Sequence, residues 1–191
     1  DLLLNASNKA AKKDIAYEDL FFEIKNKHNQ TIIELIAFEN QNSIKQDIEN
    51  QLSQLKTLLD GCYLLGELSD RTKDAIASFG ELLSAQIIAC ALKNVIPNSA
   101  YKDSRELIKT NASFGKGQVN FDKTNLLIKE FFQSVVLDVV IFPGFIASSQ
   151  DGNTTTLGRG GSDYSAAIIA NAVNATELEI WTDVNGMFTA N

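Results

Sequence analysis

The sequence predicts an α/β fold with a mainly parallel sheet and a helix-rich N-terminal half, which packs on that sheet or serves as a dimer-forming flank. Three observations predict it. Residues 1–93 carry apolar side chains at three- and four-residue spacing with no strand-like run between them. Residues 135–142 form a β-branched apolar run, too short for a helix and suited to a buried parallel strand. In the second half, strand-like and helical segments alternate, the pattern that builds parallel sheets.

Taken in order, 1–13 is a short amphipathic helix, and 15–27 and 31–38 are helical pieces. Residues 41–65 place Ile44, Ile48, Leu52, Leu55, Leu58 and Leu59 on one face. Ser69 or Asp70 caps a further helix running to about Lys93. Residues 94–101 read as a strand, 103–111 as a loop-like segment and 111–120 as a glycine-bearing loop. Phe121 ends a short strand, and a helix capped near Asp122 spans 124–134. After the strand at 135–142 come Gly144 and a polar turn at 148–153. The stretch 154–163, TTTLGRGGSD, leads into a helix with Ser162 or Asp163 as its cap. Residues 177–182 alternate and favour a strand, 184–186 a turn, and 187–189 resume extended chain.

The chain has 191 residues, 45% hydrophobic and 21% charged, which suits one domain with a sizeable core. A net charge of -7 argues against nucleic acid or an anionic membrane surface as partner. Cys62 and Cys90 stand alone, as buried small hydrophobes of a reducing, cytoplasmic setting. Without a Cys/His cluster, no metal site of the zinc type is expected. No signal peptide is visible, and no apolar run reads as long enough to span a bilayer. The single histidine, His28, lies in a polar stretch and reads as solvated. Asp1 and Asn191 look like cuts in a longer polypeptide.

The chemistry concentrates around Arg159. Gly158, Gly160, Gly161 and Ser162 let backbone N–H groups approach a ligand. The helix that follows presents unpaired N–H donors and partial positive charge at its start, so loop and helix form an anion site. The Arg159 guanidinium adds a fork suited to carboxylate or phosphate. The same residues also suit an ordinary glycine-rich turn with a solvated arginine. Asp163 stands where the dinucleotide fingerprint needs a third glycine, and Gly115-Lys116 has Thr110 where a P-loop needs glycine. Gly144, after a strand, suits a ligand or a simple turn equally. Glu81 follows Gly80 inside an apolar helix and is either an exposed helix carboxylate or a ligand contact.

These motifs, in order, are similar to the aspartate kinase signature of the amino-acid kinase family. The resemblance runs through SFGELLSAQI, FPGFIASSQDGNTTTLGRGGSD and LEIWTDVNGMFTAN and covers most of the chain from about Leu55 onward. It implies a three-layer α/β/α sandwich, with the whole chain as a catalytic-domain fragment. It also implies transfer of phosphate from ATP, with Mg²⁺, to the side-chain carboxylate of L-aspartate, the first step toward lysine, threonine and methionine. On this resemblance Arg159 clamps the substrate α-carboxylate with Gly160, Gly161 and Ser162, and Glu81 binds the α-ammonium. Asp163 organises the phosphate-neutralising lysine or the metal. Thr182, Asp183, Phe188 and Gly144 hold ATP. Phe188 replaces the family's usual tyrosine and loses its hydroxyl. Asp103-Ser104-Arg105 and Thr110 resemble a structural, partly site-facing segment.

The family's Lys-Phe-Gly-Gly-Thr-Ser strand, which supplies the phosphate-neutralising lysine, does not occur in the sequence. The isolated chain is therefore expected to turn over little. A regulatory part or a homoserine dehydrogenase fusion would follow Asn191. A homodimer or higher oligomer is expected. Kinases of glutamate, acetylglutamate or UMP share the fold, and a non-catalytic ligand-sensing or dimerisation module is the alternative of another class.

Overall fold

A computed structural model describes residues 2–182. Four helices come first: α1 (Leu2–Ala11), α2 (Tyr17–Leu35), α3 (Phe38–Leu65) and α4 (Asp70–Leu92). Then follow β1 (Ser99–Tyr101), α5 (Ser104–Leu107), β2 (Lys109–Thr110), α6 (Phe121–Ser134), β3 (Val139–Ile141), β4 (Ile146–Ser149), β5 (Thr154–Thr156) and α7 (Gly161–Val173).

The first four helices enclose one core, with Ile32, Ile48, Leu55, Leu59, Ile76 and Leu83 essentially inaccessible. The two helical pieces expected over 15–38 are one helix, α2, because nothing in 28–30 breaks it. His28 lies inside that helix, half-buried, with Nδ1 2.7 Å from the Ile24 carbonyl. Gly66, left-handed at φ 71°, ends α3, and the Ser69 hydroxyl accepts from the Thr72 amide to start α4 as expected. Contrary to the sequence reading, α4 is long and apolar enough to cross a membrane. In this fold it is the helix shared by both halves, packed on α1, α2, α3, β1, β3 and β5. Cys62 is buried as expected, whereas Cys90 is only half-buried.

The second core gathers Ile108, Ile128, Ala147, Leu157 and Ile168 between α6, α7 and the strands. The sheet is less uniform than expected. β1 and β3 pair in parallel; β2, β4 and β5 form a separate sheet, β2–β4 parallel and β4–β5 antiparallel. The antiparallel pair follows from the tight turn after Ser149, where the Ser149 amide donates to the Asn153 carbonyl and Gly152 takes φ 79°. So short a connection can only return the chain antiparallel.

Several boundaries move. The strand read over 94–101 narrows to β1, and that over 135–142 to β3, which is half-buried and has Val136 93% exposed beside it. Phe121 begins α6 rather than ending a strand, and Asn120, not Asp122, caps it through the Lys123 amide. Residues 177–182 form no strand: Leu178, Ile180 and Trp181 are exposed and no ladder partner lies beside them among the described residues. Alternation supplies a face for burial, but a strand also needs a neighbouring edge. The turn and extended chain read beyond 183 lie outside the described residues.

Candidate functional site

β5 ends at Thr156 and delivers Leu157, Gly158, Arg159 and Gly160 to the start of α7. Gly158 (φ 77°) and Gly160 (φ 72°) are left-handed. Gly160 is the N-cap of α7 and no side chain caps the helix, so Ser162 and Asp163 are first-turn residues rather than the cap. Both are exposed. The Gly161 amide donates to the Gly158 carbonyl at 3.0 Å, and the Ser162 and Asp163 amides of that turn are left to water or a ligand, in a helix of 13 residues. Arg159 is exposed and makes no ion pair among the described residues.

The turn that supports this helix start is strained. Phe145 is left-handed at φ 67°, a conformation costing of order 1–3 kcal/mol for a bulky residue. Its surroundings hold it there: its amide donates to Ser165 Oγ at 2.9 Å, and its carbonyl accepts from the Leu157 amide at 2.9 Å. The Ser165 hydroxyl in turn donates to the Gly161 carbonyl at 2.8 Å. Gly161 is glycine because a Cβ would lie 2.8 Å from Phe145 Cδ2.

Behind this turn lies a cavity of about 290 Å³. Arg159, Gly158, Phe145 and Thr156 form one wall; Asp70, Lys73, Asp74 and Ala77 of α4 form the other, with Leu4 and Gly115 at the edges. Asp74 is 3% exposed, and its carboxylate is fully engaged by protein amides and a hydroxyl. The side chains left to meet a ligand are therefore Arg159, Lys73 and Asp70, a set that favours an anion. Larger cavities exist, among them one of about 670 Å³ between α3 and α4, one of about 530 Å³ between α6, α7 and β3, and two of about 610 and 500 Å³ along α2. None of these is lined by Arg159, and chemistry rather than size singles out the smaller one.

Of the residues expected from sequence, Arg159 and Gly158 stand in this cavity. Glu81 is not in its lining; Ala77, one turn earlier on the same α4 face, is. Glu81 is half-buried, and burial pushes its carboxyl above the ordinary value. Its neighbour Gly80 makes room for α1: a Cβ there would meet Leu3 Cδ1 at 3.3 Å. Gly144 and Ser162 meet each other, with a Cβ on Gly144 falling 3.1 Å from Ser162 Cα, but they line the 530 Å³ groove. Thr182 is exposed and belongs to neither lining set. Asp183 and Phe188 lie outside the described residues. Arg105 is committed to structure: it forks onto Asp103 at 2.6–3.0 Å and reaches Thr154 Oγ1 at 3.1 Å.

Sequence reasoning missed Asp74, Lys73 and the strained backbone of Phe145. Asp74 left one signal: it precedes Glu81 by seven residues and so shares the apolar, inward face of the same helix.

Residues 9–191 match the amino acid kinase family, to which the chain belongs. It is 34% identical over 192 residues to the maize bifunctional aspartokinase/homoserine dehydrogenase 1, chloroplastic, covering 100% of this chain and 21% of that protein. It is 34% identical over 159 residues to the lysine-sensitive aspartokinase 3 of Escherichia coli, covering 83% of this chain and 34% of that one. The fold superposes on E. coli aspartokinase III solved with lysine and aspartate, at a TM-score of 0.86 and 30% identity, covering 98% of this chain and 42% of that one. The form of that enzyme with aspartate and ADP gives 0.85 at 29% identity. The chain thus has the amino-acid kinase fold and aspartokinase homologues along its whole length, while spanning about a fifth of the maize protein.

Proposed function

We propose that this chain carries the catalytic core of an aspartate kinase, which moves the terminal phosphoryl group of ATP onto the side-chain carboxylate of L-aspartate to give 4-phospho-L-aspartate. The observation that carries the reading is the uncapped start of α7 with unpaired Arg159 beside it, facing a small cavity whose opposite wall is α4. The solved E. coli relative with aspartate and ADP supports the choice of substrates.

Arg159 grips the α-carboxylate through its fork, and Gly160, Gly161 and Ser162 complete the anion site, the Gly161 amide being committed to the Gly158 carbonyl and the Ser162 amide left to donate. Glu81 takes the α-ammonium. A bound cation there offsets the burial that now penalises its charge. The attacking carboxylate is already ionised at neutral pH, so no strong general base is needed. Catalysis is then positioning plus neutralisation of phosphate charge. Gly144, Thr182, Asp183 and Phe188 are assigned to ATP. No cluster of three or more His, Cys, Asp or Glu side chains exists among the described residues. Asp163, a single exposed carboxylate, nonetheless fits Mg²⁺, which takes one or two carboxylates together with phosphate oxygens and water. Within the reading, the fold is a three-layer sandwich, the setting is cytoplasmic and the assembly is a homo-oligomer.

Arg159→Ala in the full-length polypeptide tests the assignment. The aspartate KM should rise at least about tenfold, as expected for losing charge-assisted hydrogen bonds, with the ATP KM little changed. An equal rise for both substrates refutes the clamp. A panel of aspartate, glutamate, acetylglutamate and UMP tests the substrate.

A further inference from the structure

We propose that Asp74 is a positioning residue of the substrate site, holding the two walls of the cavity at a fixed separation. The inference rests on the reading of Arg159 and Glu81 as substrate contacts. The Asp74 carboxylate accepts three hydrogen bonds from distant parts of the chain. Oδ2 takes the Gly115 amide at 2.7 Å and the Thr156 amide at 2.9 Å; Oδ1 takes the Thr156 hydroxyl at 2.9 Å. No ion pair meets it among the described residues; its partners are N–H and O–H donors.

The network reaches Arg159 by contact. The Gly117 amide donates to the Thr156 carbonyl at 2.8 Å, closing the Gly115–Gly117 turn onto β5. The Gly115 carbonyl then abuts Gly158, where a Cβ would come within 3.3 Å of it. Gly158 is the residue before Arg159. On the other side, Asp74 and Glu81 are seven residues apart on α4, on one face and about 10 Å apart along the axis. One carboxylate therefore ties the helix bearing Glu81 to the loop bearing Arg159. A plain structural anchor would need only a link to β5. The bond to the Gly115 turn, which supports Gly158, is what extends control to the substrate loop.

Asp74→Asn in the full-length polypeptide tests this, because it keeps the shape and an acceptor for the amides but places an NH₂ where an oxygen stood. Two readouts apply. By amide hydrogen exchange, the 158–162 loop should exchange faster than in the unmodified protein, together with Gly115 and Thr156. By steady-state kinetics, the aspartate KM should rise about tenfold, the effect of one charge-assisted hydrogen bond, while the ATP KM changes less than about twofold. Asp74→Glu should not restore either value, since the longer side chain cannot reach all three donors in place. Faster exchange at Gly115 and Thr156 with the 158–162 loop unchanged overturns the proposal, as does an equal rise in both KM values. If Asp74→Asn does not fold, Thr156→Val, which deletes only the hydroxyl bond, should move the same loop and the same KM by about threefold, and no movement overturns the proposal. A failure of the unmodified protein to phosphorylate aspartate would refute the kinase reading, and the exchange result would still decide the positioning role.

Discussion

Replacing Gly161 with alanine should destabilise the protein, although Gly161 is the first residue of a helix and its φ is not left-handed. Helix propensity alone favours alanine by about 1 kcal/mol, and less at a first-turn position. Packing opposes this. The new Cβ would lie 2.8 Å from Phe145 Cδ2 and 3.2 Å from both Phe145 Cα and Leu157 Cβ. Phe145 cannot yield, because its amide is held by Ser165 and its carbonyl by Leu157. Overpacking of this kind costs about 1–3 kcal/mol, so the net loss should be about 1–2 kcal/mol. Gly61, inside α3 with nothing within 4 Å of where a Cβ would stand, is the control, and Gly61→Ala should gain about 0.5–1 kcal/mol. Urea unfolding followed by circular dichroism reads both as shifts of the midpoint at constant slope. If Gly161→Ala stabilises as much as Gly61→Ala, the account of the Phe145 turn is wrong.

Two further outcomes follow from burial. Burial raises the Glu81 carboxyl above its ordinary value near 4.5, so the folded state holds that proton more tightly than the unfolded chain. Stability therefore falls as pH rises from the ordinary value through the raised one, and is level above it. Glu81→Gln removes that fall: its Tm should exceed that of the unmodified protein at neutral pH, with the gap closing in acid, and parallel Tm–pH curves would count against it. Leu55 is fully buried in the helical core, and Leu55→Ala should cost about 2–5 kcal/mol in denaturant titration. Leu64→Ala, at a side chain 75% exposed on the same helix, should stay within about 0.5 kcal/mol.

The helices were largely legible because their signals are local: Ser69 caps α4, and the Ile44–Leu59 stripe of α3 is buried as spaced except at half-buried Leu58. The sheet was less so. Strand pairing depends on which edges meet, and nothing in the sequence of 177–182 states whether a partner is at hand. The start of α7 was misread by two residues because left-handed Gly160 takes the place expected of a Ser or Asp side chain. Arg159 was visible as a charge among glycines. Asp74 was not, because a buried carboxylate is recognised by the donors that converge on it, and those come from Gly115 and Thr156, far along the chain.

α4 touches the helical layer on one side and the strands on the other, as a single uninterrupted rod of 23 residues. At 1.5 Å per residue it spans about 34 Å, so a tilt of about 5° about its midpoint displaces its ends by about 1.5 Å. A tilt imposed on it through α1, α2 or α3 would therefore also shift Asp70 and Lys73 against the loop of Arg159.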